Sequence, residues 1–358
     1  MNFTETYRNK KIFLTGHTGF KGSWLLCWLH ELGARVKGYS LAPQPGNELY
    51  NHIGGDGLCE SVTGDIMDYG RLEESLLRFQ PDFVFHLAAQ ALVRQSYQDP
   101  VGTFSVNAIG TAHVLNAVRK LEKPCTVVLV TTDKVYYNYE WSYPYRETDR
   151  LGGYDPYSAS KACAELIIDS YRNSFFHPKD HAIHHKSVAA ARAGNVIGGG
   201  DWARDRIIPD VVRALQAGES VSIRNPASVR PWQHVMEPLS AYLLLGSKLA
   251  GDPVKYATEY NFGPLTADCW HVEAMVEHAI AAWGSGRYHV ADQTGMPHEA
   301  GLLKLDVSKA EAELQWKPVF SAGEAIDTTV RWYKSFNGSN ARGLIMEDIR
   351  SYNNRMPA

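Results

Sequence analysis

Gly16, Gly19 and Gly22 stand directly after a short apolar run at 12–15 and at the start of an amphipathic run over 21–32. A strand that turns on glycines into a helix brings unpaired backbone N–H groups and the positive end of a helix dipole to one point. The pyrophosphate of a dinucleotide can approach there because glycine has no side chain. The spacing is Gly-x-x-Gly-x-x-Gly, and Lys21 is followed by Gly22 where a P-loop requires Ser or Thr. The ribose-binding acid expected at the end of the second strand is missing from Gly38-Tyr39-Ser40-Leu41, so this criterion leaves NAD and NADP both open.

The rest of the first half fits such a turn. Short apolar runs at 12–15, 35–39, 58–62, 83–88, 126–131 and 187–191 alternate with helical patterns at 21–32, 69–79, 104–121 and 156–175, the rhythm of βαβ units and a parallel sheet. After Arg192 a breaker cluster, Gly194 to Asp201, changes the texture, and helices are expected at 206–216, 238–250, 269–283 and 322–335. With 358 residues the chain has room for about two domains. The expectation is an α/β protein. Residues 1–192 form a doubly wound parallel sheet of Rossmann type, and residues 193–358 form a smaller mixed α/β domain from which segments can return to the first. The segment 137–155 is longer than a usual connection and reads either as a lid or as a variable surface loop.

Net charge is only −3 and no charge run stands out, which argues against nucleic acid or a membrane surface as partner. The five cysteines are scattered and never spaced as a metal or disulfide motif, and no apolar run is long enough for a membrane span. No signal peptide is read at the start of the chain, and a cytoplasmic location is expected. His177, His181, His184 and His185 lie close together but lack supporting carboxylates or cysteines, so no metal is expected.

The chemistry gathers at the carboxyl end of the fifth expected strand and in the helix after it. Tyr157 and Lys161 are four residues apart, hence on one helix face. A cation beside a phenol favours the phenolate, which can take a proton from a substrate alcohol. Thr131 or Thr132 can offer a hydroxyl to the substrate oxygen, and Asp133 and Lys134 are a neighbouring acid and base. Asp65 and Ile66, after the third strand, are placed to hold an adenine, and Leu87, Ala88 and Ala89 to run along a cofactor.

Six motifs occur in order: Thr15-Gly16-x-x-Gly19-Phe20-x-Gly22, His86-Leu87-Ala88-Ala89-Gln90, Asn107-x-x-Gly110-Thr111, Thr131-Thr132-Asp133-Lys134-Val135-Tyr136, Tyr157-x-x-x-Lys161 and Arg192-x-x-Asn195-Val196-x-Gly198. The set resembles the extended short-chain dehydrogenase/reductase family over nearly the whole chain, and within it the nucleotide-sugar 4,6-dehydratases. The resemblance implies bound NAD, with Phe20, Asn107, Thr131, Tyr157 and Lys161 joining the glycines around it. It implies that Tyr157, helped by Lys161 and Thr132, deprotonates a C4 hydroxyl, that Asp133 is the acid and Lys134 the base of a C5/C6 elimination, and that hydride returns to C6. A Glu follows the Asp in the dTDP-glucose branch, whereas Lys134 favours the branch that acts on CDP-glucose. A lysine serves as base only when burial or positive neighbours lower its pKa from about 10.4.

The resemblance places Gln90 and Arg94 near the sugar, Asn195 at the diphosphate and Arg230 at the nucleotide, with Trp232 lining its pocket. Arg287 is read as a further phosphate ligand. The helices at 104–121 and 156–175 resemble the pair that forms a four-helix bundle between subunits, which implies a homodimer or homotetramer. An epimerase would need Thr132, Tyr157 and Lys161 but not Asp133 and Lys134; a silent NAD-binding regulator would need none of the five.

Overall fold

The computed structural model describes residues 3–43, 48–291 and 301–356. Seven strands form the main sheet: β1 Lys11–Thr15, β2 Arg35–Ser40, β3 Glu60–Thr63, β4 Phe83–His86, β5 Cys125–Val130, β6 Lys186–Ala193 and β7 Glu259–Phe262. Their spatial order is β7-β6-β5-β4-β1-β2-β3, and every neighbouring pair is parallel. The chain runs outward one way from β1 and the other way from β4, so a crevice opens at the carboxyl ends of these two strands.

Alternation along β1 explains the layers. Ile12 and Leu14 join the apolar cluster on one face and Phe13 the cluster on the other, all three fully buried. The first face is covered by α1 (Phe20–Glu31), α6 (Met236–Gly251) and α9 (Ala341–Arg355), which contribute Trp24 and Trp28, Leu239 and Leu243, and Ile345 and Tyr352. The opposite face is covered by α2 (Tyr69–Phe79), α3 and α4 (Pro156–Ser174), through Leu72 and Leu76, Val114 and Leu115, and Ile168. Helix α3 runs from Pro100–Phe104 through a π turn at Ser105–Ile109 into Gly110–Arg119. The smaller part carries α5 (Ile207–Ala217), α7 (Val272–Trp283), α8 (Ala322–Ser335) and three short strand pairs, one of them joining Val221–Ile223 to Tyr288–Val290.

Three departures from the sequence reading have clear causes. Helix α3 starts before 104 because Asp99 caps it, accepting from Gly102 N at 2.9 Å, and Pro100 fills the first turn where no N–H is needed. Strand β7 was not expected, since Glu259-Tyr260-Asn261-Phe262 mixes polar with apolar residues. It completes the edge beside β6, so one strand of the second half belongs to the main sheet and α6 and α9 belong to the layer that covers it. The segment 137–155 is an anchored strap: Tyr136 bridges to Leu151, Tyr145 bridges to Leu305, and Val135, Tyr136, Tyr145, Leu303 and Leu305 form a small core of their own.

Candidate active site

The crevice starts at Gly16, whose φ of +74° is the left-handed region that glycine tolerates best. A Cβ at Gly16 would lie 2.7 Å from Ala88 N, and one at Gly22 would lie 2.0 Å from Gly16 O. Helix α1 therefore rests against the turn at backbone distance. Its N-cap is Gly19, no side chain caps its first turn, and no acidic residue occupies that turn, so its N–H groups face the crevice. Thr15 ties the two halves of the switch point together: its Oγ1 accepts from Leu87 N and Ala88 N at 3.2 Å each and pairs with His86 Nδ1 at 2.7 Å. This cradle fits a dinucleotide pyrophosphate. His17, between the glycines, is fully buried with Nε2 2.8 Å from Ser61 Oγ, and burial brings its pKa down to about 4, so the ring is neutral. Where a ribose-binding acid would stand, Ser40 instead pairs with Thr18 at 2.9 Å.

The catalytic groups come from β5 and α4. Thr132 leaves β5 and caps the single turn Asp133–Val135, with its Oγ1 donating to Asp133 Oδ1 at 2.9 Å. Asp155 caps α4, accepting from Ser158 N at 2.9 Å, and so fixes Tyr157 and Lys161 on the first two turns. Lys161 Nζ donates to Val130 O at 3.2 Å, which locks the helix to the end of β5. Lys134 Nζ lies 6.0 Å from the centroid of the Tyr157 ring. Thr132, Asp133, Tyr157 and Lys161 are all buried.

Burial sets the electrostatics here. It pushes the Tyr157 phenol up to about 12, against the neighbouring Thr132 hydroxyl and the charge of Arg206, and it brings the Lys161 ammonium down to about 8, with Glu165 opposing. It also raises the Asp133 carboxyl, although Lys134, Thr132 and Arg230 pull the other way. Asp133 is thereby biased toward the protonated, proton-donating form, and among the described residues its Oδ2 has no hydrogen-bond partner.

Two further cations reach this site that the sequence reading did not single out. Burial, then the charges of Lys161 and Arg206, bring Lys21 down to about 7, and its Nζ donates to Tyr242 Oη at 3.4 Å. Arg206, just before α5, is held by Asp201 at 2.8 Å and acts electrostatically on both Lys21 and Tyr157. Only the folded chain brings residues 21 and 206 to the end of β5; no local motif announces it.

The remaining predicted residues fall into three groups. Arg230 reaches Asp133 electrostatically while its Nη1 donates to Val229 O at 3.0 Å, Arg94 bridges to Asp205 at 2.8 Å, and Asn195 sits at the start of the breaker cluster with its carbonyl accepting from Gln233 N. Asn107, Gln90 and Thr131 are committed to the protein. Asn107 brackets the Gln90 backbone and donates to Ser160, Gln90 Nε2 donates to Leu92 O and Thr103 Oγ1, and Thr131 donates to Glu165 Oε1. Arg287 is not brought here: it is exposed in a separate depression with Leu215, Gly218, Glu219, Ser285 and Gly286. Trp232 is buried in the core rather than lining an open pocket. Phe20 opens α1 beneath Gly198, Ile66 is buried with its carbonyl accepting from His113, and Asp65 is exposed with Oδ1 capping Met67 N. Among the described residues no group of three or more His, Cys, Asp or Glu could hold a metal, and no helix is long and apolar enough to cross a membrane.

A doubly wound sheet with a glycine turn at its switch point and a Thr/Tyr/Lys set at the end of β5 defines a short-chain dehydrogenase/reductase of the extended type. Comparison narrows this class: the chain belongs to the GDP-mannose 4,6 dehydratase family, whose model matches residues 13–329. A CDP-glucose 4,6-dehydratase of Salmonella typhimurium is 47% identical over 330 residues, covering 92% of each chain. A dTDP-glucose 4,6-dehydratase of Xanthomonas campestris is 26% identical over 335 residues, 89% of this chain and 92% of that one. Among solved structures, a dTDP-glucose 4,6-dehydratase from Streptomyces venezuelae with NAD bound superposes with a TM-score of 0.75 at 25% identity, covering 92% of this chain and 98% of that one.

Proposed function

We propose that the protein converts CDP-D-glucose to CDP-4-keto-6-deoxy-D-glucose with loss of water, as an NAD-dependent hydro-lyase. The observation that carries this reading is the placing of Asp133 and Lys134 beside the Thr132/Tyr157/Lys161 set, in a chain 47% identical to a CDP-glucose 4,6-dehydratase. An oxidation at C4 alone needs the second set; elimination needs the first as well.

NAD, which the Gly16–Gly22 turn and the α1 N-terminus would hold, would supply when bound the hydride chemistry at C4 and C6. The side chains handle the protons. Tyr157 takes the proton of the C4 hydroxyl, which Thr132 orients, and the Lys161 ammonium stabilises the phenolate. The C4 ketone acidifies C5, and Lys134 is the proposed base for that proton. Asp133, biased by burial toward its protonated form, gives its proton to the C6 hydroxyl so that water leaves. Arg230, Arg206 and Asn195 are the proposed holders of the nucleoside diphosphate. Residues 1–192 are proposed as the cofactor and catalytic part and most of 193–358 as the nucleotide-sugar part.

A second copy of the chain is the proposed partner. Val101, Ile109 and Leu166 on α3 and α4 are 76%, 48% and 59% exposed, an apolar face that a helix-on-helix interface would cover. A cytoplasmic setting fits soluble substrate and cofactor.

The decisive experiment is turnover in deuterated water. CDP-glucose should yield a 4-keto product carrying deuterium at C5. Recovery of unlabelled CDP-glucose, or formation of CDP-galactose, would sink the reading in favour of inactivity or epimerisation. A parallel panel of dTDP-, UDP- and GDP-glucose tests the base preference.

A further inference from the structure

Behind the catalytic residues lies a buried ion pair that the mechanism above does not use. Glu165 stands four residues beyond Lys161 on α4 and is 3% exposed; Arg192, near the end of β6, is also 3% exposed. Arg192 Nη2 donates to Glu165 Oε2 at 2.8 Å, and the other carboxylate oxygen accepts from Thr131 Oγ1. From its second nitrogen Arg192 donates to Tyr136 Oη at 2.9 Å and to the Glu147 carbonyl at 3.0 Å. Tyr136 in turn donates to Asn261 Oδ1 at 2.6 Å, which brings β7 and the strap into the same network.

A buried ion pair is weak evidence for stability, because taking both charges out of water offsets most of their attraction. Its position suggests another role. We propose that Glu165 and Arg192 are positioning residues of the catalytic centre: they tie Thr131, the neighbour of Thr132, to the helix that carries Tyr157 and Lys161, and they fix one negative charge a single turn beyond the Lys161 ammonium. Other charged and titratable groups face Lys161 from each side. Lys21 reaches it from α1 and His86 from β4, and burial, followed by the Lys161 charge, lowers the imidazole to about 3. Tyr157 precedes it by a turn on α4, and Val130 O of β5 is its hydrogen-bond acceptor. Among these groups Glu165 is the one that opposes the loss of the lysine's proton. Without it the ammonium, already brought down to about 8, would lose its proton at a lower pH still.

The proposal rests on the reading of Lys161 as the cation that stabilises Tyr157, and its test separates the two. The full-length protein, labelled with 13C at the lysine ε-carbon, is titrated without substrate, the Lys161 signal being the one lost in Lys161→Arg. In Glu165→Gln the midpoint of that signal should fall by about two pH units, the size expected for removing a unit charge one turn away at an effective dielectric of about 20. On CDP-glucose the alkaline limb of kcat should move down by the same interval with KM little changed. If Glu165→Gln does not fold, the same titration is read on Glu165→Asp, whose shorter side chain draws the charge back and should lower the midpoint by a smaller interval. An unshifted Lys161 midpoint in a folded variant overturns the proposal, even if kcat falls, because loss of packing alone lowers a rate without moving a titration. A native protein inactive on CDP-glucose would instead overturn the functional reading and leave the titration to decide the proposal.

Discussion

Lys134 is the residue on which dehydration and mere oxidation part company. It follows the buried Asp133, and its Nζ lies 6.0 Å from the centroid of the Tyr157 ring. Lys134→Ala should retain oxidation at C4, seen as enzyme-bound NADH absorbance, while exchange of the C5 proton with solvent falls by about 10²–10⁴-fold, the usual weight of a positioned base. Exchange that persists at the native rate would move the base role to another group. The Thr132 to Lys134 run and the Tyr157/Lys161 pair were legible in the sequence because strand ends and helix spacing fix where such side chains point. Lys21 and Arg206 were not legible. Their roles come from the approach of α1 and of the segment before α5 to the end of β5, and no pattern within either segment encodes that approach. Thr131, Gln90 and Asn107 show the opposite limit: each stands in the expected motif, yet each side chain is satisfied by the protein itself.

Helix α9 shows how a terminal element is tied down. Glu237, in the first turn of α6 and fully buried, accepts from Val319 N, Phe320 N and Tyr352 Oη, the last from α9 itself at 2.7 Å. Burial raises its pKa from 4.5 to about 7, against these hydrogen bonds. The folded state thus holds the proton more tightly than the unfolded state. This contribution to stability is complete below about pH 4.5 and is lost as pH rises to about 7. Glu237→Gln should flatten that decline, so that denaturation curves of variant and native protein diverge by on the order of 3 kcal/mol across the window. Parallel curves would mean that Glu237 stays ionised in the fold. Apolar periodicity located α1, α2, α4 and α6 to within a few residues, but it did not find α9. It missed the Pro100 start of α3, where the signal was a cap and a proline, and it missed β7, where a buried Asn261 holds the strap through hydrogen bonds to the Tyr145 and Asp306 carbonyls.

For the molecule as a whole, the exposed apolar residues of α3 and α4 are the proposed seat of a second copy. Leu166→Glu, placing a charge on that face, should turn the assembly into monomers in sedimentation velocity, with the secondary structure unchanged in circular dichroism. Assembly that survives the charge would place the interface elsewhere. The doubly wound class was readable from the βαβ rhythm alone, whereas the mixing of the two halves was not, since periodicity marks an element without naming its neighbour. That mixing bears on how the protein is made. Because β7 is the partner of β6 and α6 covers the first face of the sheet, the nascent chain cannot seal its largest apolar core until more than two thirds of it has left the ribosome. Until then β6 has a bare edge and the first face of the sheet is only partly covered, the kind of surface that draws chaperones or aggregates. A fragment ended at residue 192 would be held at that stage for good.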